Sequence, residues 1–260
     1  MNKILKYSFI DLIRSNWVIS YTAFYFVATF GLLVANGDIS KAIISLLHVI
    51  TILIPLISTV FGVIYFYNSR DYIEMLLAQP IRRSTIFLGQ FLGLVLSLCF
   101  SFVVGILIPF LVYGVSVSGY LLHFLYVLVA GILMTIIFSA LAYLIALLND
   151  NRLRGFGLAI LTWLLFAILY DGIFVLAMIK FEEYPLDKVS LIASLFNPID
   201  LSRIFIMLKF DTAALFGYTG ALFHQFFGSN LGVVLAGFAL LVWCFVPVLI
   251  ILAKSNQKDF

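Results

Sequence analysis

The chain has 260 residues, of which 64% are hydrophobic, 17% aromatic and only 10% charged. With a mean hydropathy of +1.19, that composition excludes a soluble globular domain and points to a polytopic membrane protein, because so few charges cannot cover so much apolar side chain in water. The net charge of +3 is small and the basic residues sit at loop ends, which excludes a nucleic-acid partner and leaves membrane lipid as the surrounding medium.

Residues 1–16 precede the first apolar run. Leu5, Phe9, Leu12 and Ile13 share one helical face and Lys3, Lys6, Asp11 and Arg14 the opposite one, the pattern of an amphipathic interfacial helix that is basic on its wet side. Trp17 stands where the chain enters the bilayer. Spans are expected over roughly 17–35, 42–66, 86–114, 120–148, 156–179 and 231–252, each near or above the ~20 residues needed to cross the hydrocarbon. Asn36-Gly37-Asp38 is a turn between the first two spans, and Asn149 to Arg154 a hydrophilic link before the fifth.

The expected fold is therefore an all-α integral membrane protein of six transmembrane helices in one domain, 1–260, with both termini on one side. Ten of the fifteen Lys and Arg residues fall on that side, among them Lys3, Lys6, Arg14, Arg82, Arg83, Arg152 and Arg154. The positive-inside rule then makes both termini and the 68–90 loop cytoplasmic.

The 68–90 loop is charged within an apolar chain. Ile73, Leu76, Leu77 and Ile81 follow the spacing of one helical face, and Arg70 and Glu74 lie at i and i+4 on the other. Pro80 ends or kinks that helix, and Arg82-Arg83 mark the return to the membrane. A short amphipathic helix hung between two spans suits a groove on a partner protein; resting on the headgroups is the alternative.

The loop over about 180–230 starts polar, with Glu182, Glu183, Asp187 and Lys188, and then turns apolar. Asn197-Pro198-Ile199-Asp200 has the form of a helix start, and Asp200 and Arg203 become neighbours at i, i+3. A stretch so rich in Phe, Ile and Leu cannot be a solvated linker. It has to fold onto the outer ends of its own helices, dip into the bilayer or meet a partner; a lid on its own helices is expected first and an outer partner surface second.

Asp171 lies within the fifth span. An ionisable group there costs about 3 kcal/mol on insertion scales, so it has to face the bundle interior, a second subunit or water. It either lines a substrate path or dimer contact, or bonds to Tyr170 or a neighbouring helix. Cys99 and Cys244 sit inside apolar runs as packing residues rather than a disulfide or metal pair. No G-x-x-x-x-G-K-[ST], H-E-x-x-H or G-x-S-x-G occurs, and His48, His123 and His224 lack ligand spacing, so no catalytic or metal-binding residue is expected. Gly89 and Gly93 form a G-x-x-x-G that permits close helix approach.

The loop sequence Glu74-Met75-Leu76-Leu77-Ala78-Gln79-Pro80-Ile81-Arg82-Arg83, followed by Leu88-Gly89-Gln90, resembles the permease subunits of ABC-2 type ABC transporters, and the order of helices and loops is similar over the whole chain. Ser69-Arg70-Asp71-Tyr72 departs from the usual entry to that motif. The resemblance implies a multi-pass protein of the bacterial inner membrane, working as a homodimer with separate ATPase subunits. The loop would carry the helix that docks on the ATPase, through Glu74, Leu76, Leu77, Pro80, Arg82 and Arg83. ATP and magnesium would be bound by that partner, and no cofactor by this chain. Asp11 to Trp17, Leu169-Tyr170-Asp171 and Asn197-Pro198-Ile199-Asp200-Leu201-Ser202-Arg203-Ile204 look like the NosY-type branch, which serves maturation of the copper site of nitrous-oxide reductase. That likeness implies a NosF-like ATPase and a periplasmic NosD-like protein, the latter meeting the outer loop at Asn197, Pro198, Asp200 and Arg203. A general exporter of a peptide, lipid or drug, and a membrane anchor that transports nothing, share the same fold.

Overall fold

The computed structural model describes residues 2–115, 119–180, 187–208 and 218–256, and within them every regular element is a helix. Six of these are long and apolar enough to cross a membrane: Asn16–Asn36, Ile39–Asn68, Arg83–Val112, Leu121–Leu148, Arg152–Ala177 and Leu231–Ser255. In hydrocarbon a backbone must satisfy its own polar groups, and helices do so within one segment.

Helix α1 spans Asn2–Ile13, α2 Asn16–Asn36 and α3 Ile39–Asn68. The turn between α2 and α3 falls where the sequence expects it. Gly37 adopts a left-handed φ of 64° and returns its N–H to the Leu33 carbonyl, while the Asp38 carboxylate caps α3 at the Ser40 N–H. Helix α4, Arg70–Leu77, precedes α5, Arg83–Val112, and α6, Leu121–Leu148. The fifth span is α7 (Arg152–Leu164), a π-helical turn (Leu165–Leu169) and α8 (Tyr170–Lys180). Helices α9 (Asp187–Leu195) and α10 (Pro198–Met207) follow, and α11 (Tyr218–Ser255) contains the sixth span. Glu182, Glu183 and Lys209, which belong to the expected outer loop, and Lys258 of the tail lie outside the described residues. Pro55, Pro109 and Pro247 sit inside α3, α5 and α11, each of which continues past its proline.

Lipid tails are as apolar as leucine, so close packing rather than water exclusion holds such helices together. Glycines supply the close approach. A Cβ on Gly62 of α3 would stand 2.8 Å from the Ala142 Cβ of α6, and one on Gly105 of α5 would stand 2.9 Å from the Thr22 carbonyl of α2. Aromatic edges fill the remaining volume, with Tyr25 against Phe102 at 5.5 Å and Phe66 against Tyr143 at 5.0 Å between ring centroids.

Helix α1 is turned differently from the expected face. Ile4, Ser8 and Leu12 are buried, whereas Leu5, Phe9 and Ile13 are only partly covered. The cause is the Gly89 and Gly93 pair on α5, whose missing side chains admit Ile4 and Ser8; a Cβ on Gly93 would lie 2.5 Å from the Ser8 Cβ. A helical wheel of α1 alone ranks residues by hydropathy, and the docking partner instead selects by shape. Lys3, Lys6, Asp11 and Arg14 remain exposed.

Candidate functional site

Two regions gather the residues that composition and pattern single out, one at each end of the bundle. The basic end holds α1, α4 and the α4–α5 link. Helix α4 begins as α3 ends, and the Arg70 guanidinium reaches Glu74 one turn later at 3.0 Å. That i, i+4 pair is half exposed and worth about 0.3–0.5 kcal/mol, enough to bias a short helix but not to form one. Anchoring comes from Ile73, wholly buried, and Leu76, 6% exposed, which pack into the helical bundle itself. The helix stops at Leu77, Gln79 and Pro80 are exposed bends, and Arg82 and Arg83 lead into α5 on the surface.

This placement divides the expected coupling residues. Leu76 faces inward, so its side chain is not part of a surface a partner could touch in this conformation, and Leu77 is only partly covered. Glu74, Pro80, Arg82 and Arg83 are exposed, and Met75, which sequence pattern passes over, is 55% exposed. Periodicity identifies an apolar face but not which protein covers it.

At the opposite end the structure joins two segments distant in the chain. Asn197 is fully buried and uses its side chain three ways. Its oxygen caps α10 by accepting from the Ile199 N–H at 3.0 Å, and its amide donates to the Asp200 carboxylate at 3.1 Å and to the Phe166 carbonyl at 3.0 Å. Phe166 lies in the π-helical turn, where the Tyr170 N–H reaches back five residues to the Leu165 carbonyl. Such a turn breaks the regular ladder and turns a carbonyl toward another donor. Pro198 occupies the first helical position, where its missing N–H costs nothing.

One turn further along α10, the Arg203 guanidinium donates to Asp171 at 2.9 Å and to Asp200 at 3.3 Å. Asp171 therefore meets a neighbouring helix, and Tyr170 beside it donates to the Ala193 carbonyl at the end of α9. Asp200 and Arg203 are neighbours as the i, i+3 spacing expects. The Asp171 partner, by contrast, is visible only in the fold, although a lone acid in a span and a lone Arg in an apolar loop are a matched pair of signals. Burial, and then the Asp171 carboxylate facing it, push Asp200 up from 3.8 to about 7 despite Arg203. Pro198, Ile199, Leu201, Ile204 and Ile206 are buried against α6 and α11, so α10 is seated on the bundle.

Among the described residues no three His, Cys, Asp or Glu side chains cluster as metal ligands.

Comparison with known proteins bears on both ends. The profile of the family described as ABC-2 family transporter protein matches residues 3–259. Among curated proteins, the chain is 26% identical over 270 residues to the “Probable ABC transporter permease protein NosY” of Stutzerimonas stutzeri, covering 95% of each chain. It is 25% identical over 220 residues to the protein of the same name from Pseudomonas aeruginosa, covering 78% of this chain and 80% of that one.

Proposed function

The chain belongs to the ABC-2 family of transporter proteins as a membrane-spanning permease subunit, whose kind works with a separate ATPase, and we propose that α4 and the turn after it form the ATPase contact. In this proposal the basic end faces the cytoplasm of a bacterial cell and the protein sits in the inner membrane as a homodimer. ATP-driven closure of the partner pushes on Glu74, Met75, Pro80, Arg82 and Arg83. Because Ile73 and Leu76 clamp α4 to the permease, the push passes into α3 and α5 instead of bending a loose loop. That clamped yet exposed helix is the observation that carries the proposal.

We also propose a role in maturation of the copper site of nitrous-oxide reductase, with a NosF-like ATPase and a periplasmic NosD-like protein as partners. Support comes from the end-to-end similarity to two relatives named NosY. It comes also from Leu169–Asp171 and Asn197–Ile204, the segments most like that branch, which make up the Asp171–Arg203–Asp200 cluster on the outer side. The residues left exposed beside it on α9 and in its link to α10, Ile192, Leu195 and Phe196, would then meet the periplasmic partner.

Affinity purification of the tagged chain from its native membrane in mild detergent, with bound proteins identified, tests both proposals. An ATPase together with a periplasmic protein is expected. An ATPase alone would transfer the protein to general export of a peptide, lipid or drug. Recovery of neither would make it an anchor and remove α4 from its assigned role.

A further inference from the structure

Beside the α1–α5 contact, the basic end holds a cavity of about 370 Å³ bounded by α1, the start of α2, the last turns of α3 and the first turn of α4. Its lining is unlike the rest of that end. No lysine or arginine lines it, and five aromatic rings and one carboxylate do. Tyr7 of α1 and Tyr72 of α4 stack at 5.3 Å between centroids, Trp17 stands edge-on to Phe61 at 6.5 Å, and Tyr65 completes the aromatic wall. Asp11 lies on the same wall, exposed, and forms no ion pair among the described residues. Ser8 is 2% exposed, and its hydroxyl lies beside that of Tyr65 on the cavity wall.

The one charged side chain of the lining is a carboxylate, which disfavours an anion. Ring faces are negative and ring edges positive, so a group of aromatics with a carboxylate selects a weakly hydrated cation, most readily an ammonium or alkylammonium. Leu12, Val60 and Ile64 continue the lining as apolar surface, which suits a hydrocarbon tail attached to such a head. We propose that this cavity binds an organic ammonium group. An ethanolamine phospholipid of the surrounding bilayer and a soluble organic amine are two sources of the same group. A bound head would join α1 to α4; its effect on the ATPase rests on the α4 assignment above, whereas the binding itself does not.

Native mass spectrometry of the purified, delipidated full-length chain tests the binding directly, without any ATPase present. Dioleoylphosphatidylethanolamine is expected to be retained about tenfold more tightly than dioleoylphosphatidylglycerol, and Asp11→Asn and Tyr72→Leu are each expected to lower that retention about tenfold. Asp11 is exposed, so Asp11→Asn keeps the test valid even if Tyr72→Leu misfolds. In a second arm, tetramethylammonium is titrated against tryptophan fluorescence, with Trp17→Phe as the control for which ring responds. Lipid preference without saturable quenching assigns the headgroup, and saturable quenching without lipid preference assigns a soluble amine. Equal retention of both lipids with no quenching overturns the proposal, as does a preference that survives both substitutions.

Discussion

Arg203 is the residue on which that end of the bundle turns, because it stands between two carboxylates. Asp171 and its partner are both partly exposed, at 37% and 27%, so their pair is worth under about 1 kcal/mol. Removing the cation is a different event, since it leaves Asp171 and Asp200 facing each other. Arg203→Gln is therefore expected to lower the thermal midpoint in detergent by more than Asp171→Asn does, and adding Asp171→Asn to Arg203→Gln should restore part of the loss. Equal single effects that add in the double variant would show that the two carboxylates do not sense each other.

Asp200 makes a second prediction, in pH. Its folded value, about 7, lies above the ordinary 3.8, so the native state holds the proton more tightly than the unfolded chain. The stabilisation from that proton is complete below about pH 3.8 and is lost as pH rises through about 7. Measured between pH 5.5 and 8.5, the wild-type midpoint should fall with rising pH relative to Asp200→Asn. Parallel curves for the two proteins would assign the proton elsewhere.

At the scale of the element, α4 has an inner and an outer edge, and the two should respond differently to the same charge. Met75→Asp places a carboxylate on the exposed edge and is expected to release the ATPase while the permease stays folded and in the membrane. Leu76→Asp buries an unpaired carboxylate against the core and is expected to lower the amount of folded permease as well. Size-exclusion profile and ATPase co-purification, read together, separate the two. A Met75→Asp permease that still carried its ATPase would move the contact off this helix. Helix α1 makes a related point: its docking face is chosen by Gly89 and Gly93 on another helix, which its own hydropathy cannot register.

At the scale of the whole molecule, the six spans set which surfaces share a compartment. With Cys99 and Cys244 replaced by Ala, single Gln79→Cys and Tyr120→Cys variants place a thiol at the two ends of the bundle. A membrane-impermeant maleimide applied to intact spheroplasts is expected to label the second and not the first. The reverse pattern would invert the protein and put α4 out of reach of an ATP-fuelled partner. The fifth span lies at the margin of the described fold, with Leu161, Ile168, Ile173 and Leu176 exposed; its first half packs on α3 and α6, and its second half is held at the π-helical turn and Asp171.

The sequence by itself determined the six spans to within about a turn, the Asn36–Asp38 turn, the cap at Asn197, the Arg70–Glu74 pair and the family. All of these are local in the chain, set by hydropathy over ~20 residues, by φ limits or by i, i+4 geometry. Tertiary structure alone decided that Asp171 meets Arg203, that Asn197 reaches the Phe166 carbonyl, that Leu76 faces inward and that α1 rests on a glycine pair. Each of these joins segments far apart in the chain, and what selects them is close packing and the pairing of charge, neither of which leaves a period in the sequence.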